Sequence, residues 1–122
     1  MVRFAAPLAV IAAATALSLA ATPALAVDGA QLFAMQCKLC HQAAGSTAMA
    51  PSLAGVAGGK IASKADFNYS AALKAHGGTW TDENLNAFLK GPSAFAPGTK
   101  MMISVPNDEN RAALVAYIKT LK

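Results

Sequence analysis

Residues 37–41 read Cys37-Lys38-Leu39-Cys40-His41, and no other run in the chain says as much about how it folds. Two cysteines three positions apart, followed at once by a histidine, have the spacing of c-type haem attachment. The two-residue gap lets both thiols reach the two vinyl groups of one porphyrin, and the next residue can bring its imidazole beneath the iron. Competing readings are weaker. An exported chain with two cysteines suggests a disulfide, but closing so short a loop removes little entropy from the unfolded state. A thioredoxin-like redox pair follows a strand in an α/β unit, and no such pattern is present. A structural zinc site needs further ligands, and the only histidine besides His41 is His76.

Upstream of the motif the chain opens with a short positive start, Met1 to Arg3, an apolar Ala-rich run from Leu8 to Ala21, and the small-x-small pattern Ala24-Leu25-Ala26. This is the layout of a secretory signal peptide. The apolar run approaches spanning length, but Pro7, Pro23 and the Ala24–Ala26 exit favour cleavage over a membrane anchor. The expected division is a cleaved signal peptide, 1–26, and a single haem domain, 27–122. The domain would be exported to the periplasm, with no stable membrane insertion. The remaining 96 residues give a small core that needs a staple. The formal charge of +4 falls to +3 without Arg3, and two haem propionates bring it to roughly +1. That gives no support to nucleic-acid binding.

Downstream, helical periodicity dominates, with no repeat or charge block, so the expected fold is all-α with long loops. Asp28 is placed to cap a first helix running to about Cys40, with Leu32, Phe33 and Leu39 making apolar contacts. Gln42 to Asn68 is rich in Gly, Ala and Ser and reads as a long loop that must wrap something. A short helix is expected over Tyr69 to Ala75, broken by Gly77-Gly78. Thr81 then caps a helix from about Asp82 to Lys90, which Gly91-Pro92 ends. A second loop, Ser93 to Pro106, leads to a last helix capped by Asn107, with Leu114, Tyr117, Ile118 and Leu121 on one face.

An electron-carrying haem needs a second axial ligand, and Met35, Met49, Met101, Met102 and His76 are the candidates. The tight-turn stretch Ala96-Pro97-Gly98-Thr99-Lys100-Met101 suits presentation of a thioether on the side of the haem away from His41. Met102 is the alternative, because the residues alone do not choose between neighbours. His76, beside Gly77-Gly78, reads as a surface loop residue. Lys38 and Lys100 read equally well as solvated charges or as docking residues.

From Gly29 to Lys122 the chain resembles the class I cytochromes c, including the mitochondrial protein and its soluble bacterial relatives. The resemblance rests on the haem motif, Pro51-Ser52-Leu53, Tyr69, Thr79-Trp80 and above all Pro97-Gly98-Thr99-Lys100-Met101. It implies a cytochrome c fold of three to five helices and long loops around one covalent haem c, with the N- and C-terminal helices crossing. Gly29 and Phe33 match the crossing positions, answered by Leu114 and Tyr117. The resemblance makes Cys37 and Cys40 the haem attachment points, His41 and Met101 the iron ligands, and Pro51 the acceptor of the histidine's other N–H. It likewise implies haem contacts for Tyr69, Trp80 and Thr99, the first two as donors to a buried propionate. Several positions depart from the family pattern. Phe88 stands where the family has a tyrosine near the iron-bound sulfur, Gly59 where it has an arginine, and Leu73 where it has an asparagine. Lys100 belongs to the family's ring of lysines at the exposed haem edge, but Gln36 and Ser93 replace others.

The function implied is transfer of one electron at a time between respiratory or photosynthetic redox partners, such as membrane oxidoreductase complexes or oxidases, through the exposed haem edge. The expectation is a monomer that is not an enzyme. The alternatives are a haem subunit serving one enzyme, or a peroxidase-like enzyme with a labile Met ligand. Against the latter, the acidic side chains fall at helix starts, where capping explains them.

Overall fold

The computed structural model describes residues 27–42 and 45–122, with Val2, Ala5, Ala9, Ile11 and residues 13–20 of the opening segment. The expected leader, 1–26, therefore lies largely outside the described residues, and its cleavage site after Ala26 wholly so. Among the described residues no helix is long and apolar enough to cross a membrane.

Five helices and long loops make up the described domain, and Lys60 and Thr79 form an isolated antiparallel bridge. The first helix, α1 (Gly29–Gln36), starts where the Asp28 carboxylate accepts the N–H groups of Ala30 and Gln31, two of the amides that a helix start leaves without partners. Ser70 caps α2 (Ala71–His76) through Leu73 N–H, and Thr81 caps α3 (Asp82–Lys90) through Asn84 N–H. A one-turn α4 (Pro92–Phe95) follows at once. Asn107 caps α5 (Asp108–Ile118) through Asn110 N–H.

Three expectations change. Helix α1 stops at Gln36 and not near Cys40, because the N–H groups of both Cys37 and Lys38 turn back to Phe33 O, and the motif closes its own turn from His41 N–H to Cys37 O at 2.8 Å. That turn leaves Leu39 84% exposed and outside the hydrophobic core. Gly91-Pro92 does end α3, but Pro92 also begins α4, since a residue with no N–H and a fixed φ suits a helix's first position. The second loop therefore begins after Phe95.

The core is the meeting of α1, α3 and α5. Helix α1 packs on α5, and the approach is so close at Gly29 that a Cβ there would stand 2.3 Å from the Ala113 carbonyl oxygen. One turn further along, the rings of Phe33 and Tyr117 lie tilted with centroids 5.1 Å apart. Leu114 is fully enclosed, with Leu85, Leu89, Val115 and Ile118 around it. These helices form one wall of the cavity described next, and the loops form the rest.

Candidate haem site

Cys37, Cys40 and His41 leave the end of α1 facing a single cavity of about 300 Å³. The His41 Nδ1 lies 2.8 Å from the Pro51 carbonyl oxygen. A carbonyl can only accept, so Nδ1 carries the proton and donates it, which leaves the Nε2 lone pair free. Burial holds the His41 imidazole below its ordinary range, although the Pro51 bond pulls the other way. The result is a neutral, oriented imidazole, the form that ligates a metal. Burial first, and then the neighbouring Cys40, push the Cys37 thiol up.

The loop that supplies Pro51 is built from serine and threonine hydroxyls. Thr47 Oγ1 accepts the N–H groups of Met49 and Ala50 at 3.2 Å. Ser46 Oγ accepts Ser52 N–H at 2.9 Å and donates to Asp66 at 2.7 Å, tying this loop to the one that precedes Tyr69. The Tyr69 hydroxyl accepts Lys64 N–H at 3.2 Å, so its own proton is left to donate. Burial raises the Tyr69 phenol above its usual range, which keeps that proton in place.

Met101 reaches the same cavity from a separate loop. Gly98, at φ +87°, makes the turn that no side-chain-bearing residue takes easily, and Thr99 N–H closes it on Ala96 O at 2.9 Å. Lys100 donates its ammonium to the Asn68 carbonyl and lies 5.5 Å from the centre of the Phe67 ring, so it clasps two loops and is not a free surface charge. On the far side of the methionine, Val105 N–H bonds Leu89 O at 2.8 Å. Arg111, only 3% exposed, donates to the carbonyls of Val105 and Pro106, each at 2.8 Å, and to Asn86 Oδ1 at 3.0 Å, and pairs with Asp108. Met101 is half-buried and packed on the core, whereas Met102 is 81% exposed.

All eight residues singled out in the sequence, Cys37, Cys40, His41, Pro51, Tyr69, Trp80, Thr99 and Met101, line this one cavity. Met35 and His76 do not. His76 is exposed but ends α2, with its ring stacked 4.0 Å over Phe95, which in turn stacks on Trp80. Phe88 lines the cavity and meets Trp80 edge-on. Sequence reasoning missed Arg111. Its signal is a charged residue at i, i+3 and i+7 with Leu114 and Ile118, on the buried stripe of α5. Leu53, Val56, Leu85 and Leu89 complete an apolar lining in which a flat hydrophobic macrocycle is at home. Two thiols, a neutral imidazole with a free Nε2 and a thioether are the donor set such a group requires.

The family model for cytochrome c matches residues 26–122. The chain belongs to the cytochrome c family. It is a c-type cytochrome of electron transfer and binds one covalent haem c. Among its relatives, cytochrome c of Tetrahymena pyriformis is 44% identical over 76% of this chain and 85% of the relative. The c-type cytochrome cyt cy of Rhodobacter capsulatus is 43% identical over 76% of this chain, which spans only 47% of that longer protein. Among solved structures, cytochrome cH from Methylobacterium extorquens superposes with a TM-score of 0.70 at 36% identity, covering 75% of this chain and 94% of that one. The all-α cytochrome c fold expected from the sequence is the fold observed.

Proposed function

We propose that this cytochrome carries one electron at a time between redox proteins outside the cytoplasm. In this reading Cys37 and Cys40 form the thioethers, and His41 and Met101 are the axial ligands. The observation that carries it is the convergence of those four side chains on one apolar cavity, with His41 Nδ1 already committed to Pro51. Bound there, the haem supplies a ferric/ferrous couple. The protein's part is to hold that couple closed and dry: Pro51 orients the imidazole, Gly98, Lys100 and Arg111 fix the loop of Met101, and Tyr69 and Trp80, both on the cavity wall, would donate to a propionate. A soft thioether and an apolar lining both favour the ferrous state.

Among the described residues that line the cavity there is no carboxylate, and the one imidazole is His41. A peroxidase-like reaction would find neither a carboxylate nor a second imidazole there to act as general acid or base, which supports the carrier reading over an enzyme. Export after removal of 1–26, a periplasmic location and a monomeric state belong to the same proposal. Met101→Ala tests it. The haem is expected to stay attached while the reduced protein gains affinity for carbon monoxide, and Met102→Ala should leave the spectrum unchanged. An unaltered spectrum and no carbon monoxide binding in Met101→Ala would refute the ligand assignment.

A further inference from the structure

Large apolar side chains exposed singly on a surface are ordinary. Here, among the described residues from Asp28 onward, the exposed ones are Met35, Leu39, Met49, Met102 and Ile103, and all five line either the haem cavity or a second groove that shares Gln36, Cys40, Ile103 and Val105 with it. That groove, of about 510 Å³, runs between the end of α1 and the stretch 103–107. Met35, Leu39, Ile103, Val105 and Pro106 are its apolar members. Its polar members are serine and amide side chains, and none of the described lining residues is charged.

The charges bordering the groove do not give it a sign. Lys38 adjoins Leu39, while Asp108 and Glu109 lie between the groove residues Asn107 and Asn110, and Asp108 is paired with Arg111. Lys100, at the haem edge, is committed to Asn68 and Phe67. A face depleted of charge and rich in methionine has the composition of an interface core. It offers a strongly acidic partner only Lys38 at its border, with Asp108 and Glu109 on the opposite side to repel it.

We infer that this groove docks a redox protein whose own contact face is apolar and uncharged, held by burial of apolar area and not by steering of opposite charges. The inference rests on the carrier reading above. Because Cys40 lines both the groove and the haem cavity, a partner seated there would lie against the residue that would carry a thioether. The haem, when bound, would supply the one-electron couple, oxidised by one equivalent as the partner is reduced by one, or the reverse.

The experiment uses the purified holoprotein and membranes of the organism that makes it, following oxidation and reduction of the haem. Between about 10 mM and about 200 mM salt the rate is expected to change less than about twofold, since screening acts only on charge. Leu39→Glu and Leu39→Lys should both lower kcat/KM, by about tenfold, because either charge must be desolvated on docking. Neither Leu39 nor Met35 lines the haem cavity, so the spectrum should stay as in the wild type, and the midpoint potential should move only by small shifts of opposite sign for the two added charges. Turnover that falls about tenfold or more with salt, or Leu39 variants that shift the rate in opposite directions, would overturn the inference and leave the carrier reading standing. A dimer in sedimentation that Leu39→Glu dissociates would assign the groove to a second copy and overturn it too. No turnover of the wild-type protein in either direction would bring down the carrier reading, and this inference with it.

Discussion

Gly29→Ala puts one methyl group into the tightest contact of the fold. Its carbon would stand 2.3 Å from the Ala113 carbonyl oxygen, 2.9 Å from that carbonyl's carbon and 3.1 Å from Tyr117 Cβ, where ordinary contact begins at 3.4 Å. The obstacle is helix backbone, which cannot rotate aside as a side chain would, so α1 and α5 must separate by roughly 1 Å along a packed seam. Overpacking of this kind costs about 1–3 kcal/mol, and a rigid obstacle places it toward the upper end. Alanine's better helix propensity returns at most about 1 kcal/mol, and less at the first helical residue. A net loss of about 2 kcal/mol lowers the melting temperature of a domain this size by roughly 8–16 °C. Thermal and urea unfolding of the oxidised holoprotein, followed by circular dichroism, measures it, with an unchanged urea slope showing that the unfolded state is the same. An alanine protein within about 0.5 kcal/mol of the wild type would show that the two helices are not seated as described.

Arg111→Ala removes the donor to two backbone carbonyls and to Asn86 in a buried position. It should cost about 3 kcal/mol in chemical denaturation and raise the carbon monoxide affinity of the reduced form by loosening the Met101 loop. Asp66→Asn should destabilise at neutral pH and not in strong acid. The Ser46 hydroxyl holds the Asp66 carboxyl below its usual range, so its contribution is present while it is ionised and fades as the pH falls through that range. Urea midpoints at the two pH values check it, and an equal deficit at both would count against the ion. Phe88→Tyr would bring a hydroxyl into the cavity lining. If it donates to the Met101 sulfur, a hydrogen bond worth about 0.5–1 kcal/mol more in the ferrous state raises the midpoint potential by roughly 20–45 mV in a redox titration. No shift would place the ring out of reach of the sulfur.

The parts of the fold that could be read from the sequence are those set by local chemistry. Asp28, Thr81 and Asn107 cap the helices they were expected to cap, because a side chain bonding an amide two or three residues on needs no tertiary context. The site was legible for a related reason: the thiols and imidazole are contiguous in Cys37–His41, and Met101 sits in a short motif. What escaped depends on long-range packing. Leu39 looked inward by its hydrophobicity, but the turn that aims Cys37 and Cys40 at the cavity swings it to the surface. Arg111 had a position on the buried stripe of α5 as its signal, but its role depends on Asn86 in α3 and on the conformation of the loop just before α5, which turns the Val105 and Pro106 carbonyls toward it. Pro92 carries two meanings, stop and start, and only packing shows that both apply.

The clamp around Met101 has a consequence for what the two iron bonds can withstand. On the proposed ligation His41 follows Cys40 directly, so once the thioether is made the imidazole cannot stray more than about 4 Å of chain from the haem. Its effective concentration survives even extensive loosening of the fold. Met101 has no such tether: its place depends on Arg111, on the Lys100 clasp and on the Val105–Leu89 bond, all of which yield to heat, denaturant or truncation of α5. Stress on the molecule is therefore spent on one side of the haem, and a small competing ligand meets one replaceable bond and one leashed one.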